Sequence, residues 1–64
     1  MRNSLKEVRE ANRMSQEELA DISGISRTTI SALENYKSEV TKTDTLVKLA
    51  DVFNKKVTEI FFLE

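Results

Sequence analysis

Ser15-Gln16-Glu17-Glu18-Leu19-Ala20-Asp21-Ile22-Ser23-Gly24-Ile25-Ser26-Arg27-Thr28-Thr29-Ile30-Ser31-Ala32-Leu33-Glu34-Asn35-Tyr36 contains two helix starts with one break between them. Ser15 is a good N-cap, and Glu18 three residues later completes a capping box. Leu19, Ala20 and Ile22 supply the expected buried side of a short helix, which Gly24, the sole glycine of the chain, ends. Ser26 is a second N-cap and opens a helix through Ile30 and Leu33 to about Asn35. Ile25, Ile30 and Leu33 bury one face of that helix and leave Arg27, Thr28, Ser31 and Ala32 on or near the other. Two helices joined by a short turn containing glycine need small residues where they cross, which Ala20 provides. They also need a residue that accepts positive φ at the turn, which Gly24 provides.

Outward from this unit the pattern stays helical. Leu5, Val8 and Ala11/Asn12 recur at three-to-four-residue spacing, with Lys6, Glu7, Arg9, Glu10 and Arg13 between them. That spacing predicts an amphipathic helix over residues 3–12. Residues 36–42 carry no helical pattern and read as a loop. Thr43-Asp44 starts a fourth helix with Leu46, Leu49, Ala50 and Phe53 inward, ending near Asn54. Val57, Ile60, Phe61 and Leu63 form a last brief helix over residues 57–63. The expected architecture is all-α, five short helices around one core, in a single domain of residues 1–64, with the two-helix unit over about 16–35.

A chain of 64 residues with no Cys, His, Pro or Trp has few means of stabilising itself. Disulfides and zinc clusters are excluded. A domain this small buries only about 60% of the surface its unfolded chain exposes, so helical packing or self-association must supply the rest. Ile60, Phe61, Phe62 and Leu63 are consecutive, and one short helix cannot turn all of them to the same core. Phe53 and Phe61 read as core, whereas Ile60, Phe62 and Leu63 are the expected dimer surface of a two-fold homodimer formed through the helix at 57–63. Without His or Cys, acid–base or nucleophilic chemistry falls to carboxylates, Lys, Ser/Thr or Tyr, and no constellation of these supports an enzyme. No metal, cofactor or small-molecule ligand is implied. No stretch has the length of a membrane span, so a cytoplasmic location is expected.

The sequence is similar to the phage-repressor/Cro-like family, also called XRE. The resemblance is carried by Ser15-Gln16-Glu17-Glu18-Leu19-Ala20, Gly24-Ile25-Ser26-Arg27-Thr28-Thr29-Ile30-Ser31 and Leu33-Glu34-Asn35. It continues through Asp44-Thr45-Leu46-Val47-Lys48-Leu49-Ala50 and Glu59-Ile60-Phe61-Phe62. The resemblance implies a five-helix domain containing a helix-turn-helix, which binds double-stranded DNA at a near-palindromic operator as a dimer in transcription control. By the same resemblance Gln16 contacts a phosphate and braces the second helix of the motif. Arg27, Thr28 and Ala32 occupy base-facing positions, with Ser26, Thr29 and Ser31 flanking them. Asn35 and loop lysines such as Lys37 and Lys42 match phosphate-contact positions. Chemistry agrees: an arginine can reach guanine O6/N7 bidentately, and threonine can meet a thymine methyl.

Three features depart from the family pattern. Tyr36 stands where glycine is frequent, and a tyrosine resists the left-handed conformation that ends such a helix, so Asn35 is expected to adopt it. Residues 37–43 lack the usual proline and run about one residue longer. Ser23 replaces a larger apolar residue. The charge is a fourth consideration: ten bases against eleven acids give −1, although nucleic-acid binders are expected to be basic. That balance favours the competing reading, a protein-interaction module or antitoxin-like partner that has lost DNA binding. Arg27-Thr28-Thr29 opposes it. The acids concentrate on the first motif helix and on distant helices, which leaves the candidate DNA face mildly positive.

Overall fold

The computed structural model describes residues 2–37 and 42–62. In chain order the elements are β1 (Arg2–Asn3), α1 (Leu5–Ala11), α2 (Gln16–Ser23), α3 (Arg27–Glu34), α4 (Thr43–Val52), α5 (Val57–Ile60) and β2 (Phe61–Phe62). The five expected helices are present. Both ends of the expected set differ, because residues 2–3 and 61–62 pair as antiparallel strands, Arg2 opposite Phe62 and Asn3 opposite Phe61. The last helix therefore stops at Ile60, and Phe61 enters extended backbone at φ −109°, ψ 124°. The pairing resolves the apolar run geometrically. Successive strand residues point to opposite faces, so Phe61 is buried while Phe62 stays exposed. Ile60, expected on a dimer surface, is fully buried in its own chain's core. Leu63 lies outside the described residues, as does part of the 37–43 loop.

The helix starts follow the sequence closely. Ser15 Oγ accepts from the Glu18 N–H at 3.0 Å, and Glu18 Oε1 accepts from the Ser15 N–H at 3.0 Å. Ser26 Oγ accepts from the Thr29 N–H at 3.2 Å. At α1 the cap comes from one residue earlier than its N-terminal neighbour Ser4: Asn3 Oδ1 accepts from the Leu5 N–H at 3.0 Å. The same side chain donates from Nδ2 to the Leu33 carbonyl at 2.9 Å, tying β1 to the end of α3.

The helix ends are less legible. Gly24 takes the left-handed conformation at φ 76°, and a Cβ there would meet nothing within 4 Å, so backbone geometry alone favours glycine. Arg13, Tyr36 and Asn54 adopt the same region at φ 54°, 58° and 55°. Each closes a Schellman motif. At the end of α3 the Tyr36 N–H donates to the Leu33 carbonyl and the Lys37 N–H to the Ala32 carbonyl. Asn35, by contrast, sits at φ −97°. The expectation that Asn35 would bend and Tyr36 resist is therefore reversed: two carbonyls of α3 gain partners, which offsets the strain of the tyrosine.

The core is Leu5, Leu19, Ile30, Leu33, Leu46, Leu49, Ala50, Ile60 and Phe61, with Val8, Ala20, Ile25 and Phe53 packed against it. On α1 the inward stripe is Leu5, Val8 and Arg9, and Ala11 and Asn12 are exposed. On α2 it is Gln16, Leu19, Ala20 and Ser23, so Ile22, expected inside, falls off the stripe and is 62% exposed. Ser23, half-buried, accepts from the Ile25 N–H at 3.1 Å, so the departure from an apolar residue supplies the α2–α3 turn with a hydrogen bond. Among the described residues no helix is long and apolar enough to cross a membrane.

Candidate nucleic-acid interface

The periodicity of α3 divides its side chains into two sets. Ile30, Leu33 and Glu34 are buried, and Arg27 and Thr28 are exposed, with Ser31 and Ala32 partly so. The outward set lines an open concavity of about 540 Å³, together with Gln16 from α2 and Asn35 and Lys37 beyond α3. The fold thus brings together all four expected base-facing residues (Arg27, Thr28, Ser31, Ala32) and three of the expected backbone contacts (Gln16, Asn35, Lys37). Eight residues of helix span about 12 Å, close to the width of a DNA major groove.

The other expected backbone residues stand apart from this surface. Ser26 and Thr29 share a hydroxyl–hydroxyl hydrogen bond of 2.9 Å at the start of α3, where Ser26 also caps the helix. Lys42 is exposed at the residue preceding α4 and does not line the concavity. Asn35 is held at the rim by its own helix, donating from Nδ2 to the Ser31 carbonyl at 2.8 Å.

Behind the concavity lies a polar network that the sequence did not signal. Arg9 of α1 meets Glu34 of α3 bidentately, Nε to Oε2 at 2.7 Å and Nη2 to Oε1 at 3.1 Å. Arg9 Nη1 also donates to the Met14 carbonyl at 2.6 Å, which joins the α1–α2 connection to the same pair. Gln16 Nε2 donates to Glu34 Oε1 at 3.0 Å. Burial by itself would raise the Glu34 carboxyl, but the hydrogen bonds from Arg9 and Gln16, with the charges of Arg9 and Lys6, outweigh it and hold the group below the usual glutamate range. The Glu34 hydrogen bond is in turn the main cause that raises Arg9 above its ordinary value. A carboxylate only accepts, so the Gln16 amide must present its nitrogen to Glu34, and its orientation is fixed.

The charge of the surface follows. The concavity is lined by two cations, Arg27 and Lys37, and by no carboxylate. Glu34, which accepts from the lining residue Gln16, is already paired with Arg9. The overall charge of −1 therefore conceals a locally positive, partly apolar face with short hydroxyl side chains. Such a face can receive phosphates at its rim and base edges at its centre. No curated protein matches the chain significantly. Residues 5–60 match the helix-turn-helix family, with α2 and α3 as the motif, and the chain is a member of this XRE/Cro-like family of DNA-binding proteins.

Proposed function

We propose that the chain is a sequence-specific transcriptional regulator, a repressor that occupies a near-palindromic operator as a homodimer. In this reading α3 enters the major groove. Arg27, Thr28, Ser31 and Ala32 meet base edges, and Gln16, Ser26, Thr29, Asn35, Lys37 and Lys42 hold the backbone. The observation that carries the reading is the concavity, whose lining joins Gln16 to the outward face of α3 and to Lys37. Exposed Phe62, 44% accessible, is the described part of the dimer surface. Ile60 lies in the core, and Leu63, expected in the same surface, is outside the described residues. A two-fold arrangement would set the two copies of α3 about one DNA turn apart, roughly 34 Å. With few cations at the interface, specificity rests on groove contacts and symmetry more than on bulk electrostatics.

In vitro selection of bound duplexes tests the whole reading. The expected product is a palindromic consensus with half-sites separated by one helical turn. Arg27→Ala and Thr28→Ala should each lose about 1–3 kcal/mol of preference at particular base positions. An asymmetric single site removes the dimer. Selection that yields no consensus favours the protein-interaction reading.

A further inference from the structure

The concavity draws its residues from α2, α3 and the segment just beyond α3, and leaves α1 out. Yet α1 faces the same end of α3. Arg9 reaches Glu34 at 2.7 Å, which identifies the side of α1 turned toward the C-terminal end of α3. Lys6 stands three residues before Arg9, one helical turn earlier on that side. Its charge is felt at Glu34, where it is one of the groups that lower the carboxyl. Asn35 and Lys37, which follow Glu34 in the chain, line the concavity.

Lys6 is also unoccupied. It is exposed, and among the described residues no acid stands within ion-pair distance of it, in contrast to Lys48, which meets Asp44 at 3.2 Å. Glu34 is neutralised by Arg9 at close range, so Lys6 is not needed to balance it. Residues 2–13 carry Arg2, Lys6, Arg9 and Arg13 against Glu7 and Glu10, a local surplus on a chain whose total is −1.

We propose that Lys6 makes a DNA-backbone contact: α1 is a third element of the interface, and Lys6 takes a phosphate beyond the end of α3, neighbouring those of Asn35 and Lys37. The proposal rests on the reading of the concavity as the DNA face. It adds a cation to Arg27, Lys37 and Lys42 without adding a base contact, because α1 lies outside the groove-filling surface. Its signature is accordingly a loss that is uniform across sequences and dependent on salt.

Titration of a short fluorescent duplex of arbitrary sequence with the full chain, at a series of salt concentrations, reads this directly. Lys6→Gln is expected to reduce the slope of log K against log salt by about 0.9 per chain and to weaken all sequences alike. Lys6→Arg should keep the parental slope, and so should Lys55→Gln, in the connection between α4 and α5. If Lys37→Gln reduces the slope while Lys6→Gln does not, the contact is overturned and the DNA face stands. Equal reductions in Lys6→Gln and Lys55→Gln also overturn it, since the effect is then one of total charge. A parent chain with no salt-dependent binding overturns the DNA face and this contact together.

Discussion

The two faces of α3 are opposite in kind. The inner face, Ile30, Leu33 and Glu34, is buried, and through Glu34 it is bolted to α1 and α2 by Arg9 and Gln16. The outer face presents Arg27, Thr28, Ser31 and Ala32 to an open concavity, with Arg27 in no ion pair among the described residues. The inner face spends its polar groups on fixing where the helix lies. Among the described residues the outer face commits one polar group, the Ser31 hydroxyl, which accepts from Asn35 Nδ2 at 3.5 Å, so Arg27 and Thr28 are free for a ligand. Residues on the two faces should therefore separate under mutation into those that set stability and those that set binding.

The sharpest break of that contrast is Glu34→Ala against Arg27→Ala. Removing Glu34 strands the Arg9 guanidinium in a mostly buried site, and breaking a buried pair in this way costs about 3 kcal/mol or more. For a domain of this size that is a large share of the total stability. Arg27→Ala, on an exposed site, should stay within about 0.5 kcal/mol of the parent. Urea denaturation of the two variants measures both. Similar midpoints would remove the division of labour between the faces. Replacing Arg9 and Glu34 together with apolar residues of similar volume should recover much of the loss.

Acid should act on the inner face alone. The Glu34 carboxyl is held below its value in the unfolded chain, so the unfolded state binds a proton more readily than the folded one. The contribution of the pair is complete above the ordinary glutamate range, about pH 4.3, and is lost as pH falls through the lower folded value. The stability difference between the parent and Glu34→Gln should therefore be flat from pH 8 to pH 5, in the range ~5–8 where such carboxylates stay ionised, and shrink below it. A difference that is already changing at neutral pH would mean that Glu34 is not held as the geometry implies.

The same contrast explains what could be read from the sequence. Everything that builds the α2–α3 unit is local. Ser15 with Glu18, Ser26 with Thr29 and the positive φ of Gly24 each act within a few residues. The outward residues of α3 follow from the periodicity that buries Ile30 and Leu33. The inner polar network was not legible, because its partners are remote in the chain. Arg9 and Glu34 are separated by 25 residues, and Asn3 and the Leu33 carbonyl by 30. A charged residue in a helical pattern reads as solvated until its partner is known. The pairing of β1 with β2 was hidden for the same reason, and an unbroken apolar run such as Ile60-Phe61-Phe62 has no period to separate helix from strand. The left-handed helix ends were hidden as well, because residue type does not mark them. Among the described residues four positions adopt the left-handed region, and only one of them is glycine.

Those left-handed positions allow the smallest test. Tyr36 closes α3 where its two faces meet, at φ 58°. An L-residue in this region is strained by about 1–2 kcal/mol, whereas glycine accepts it but gives up about 0.5–1 kcal/mol in unfolded-chain entropy. Tyr36→Gly should therefore stabilise the domain by about 0.5 kcal/mol. Arg13→Gly should behave alike, and Asn54→Gly should gain less, because asparagine tolerates this conformation. Thermal unfolding of the three variants gives the order. Since the Tyr36 and Lys37 N–H groups are already committed to the Leu33 and Ala32 carbonyls, the glycine should raise stability without changing the affinity set by the outer face. A loss of DNA affinity in Tyr36→Gly would instead place the tyrosine side chain, 54% exposed, among the contacts and extend the outer face past the end of the helix.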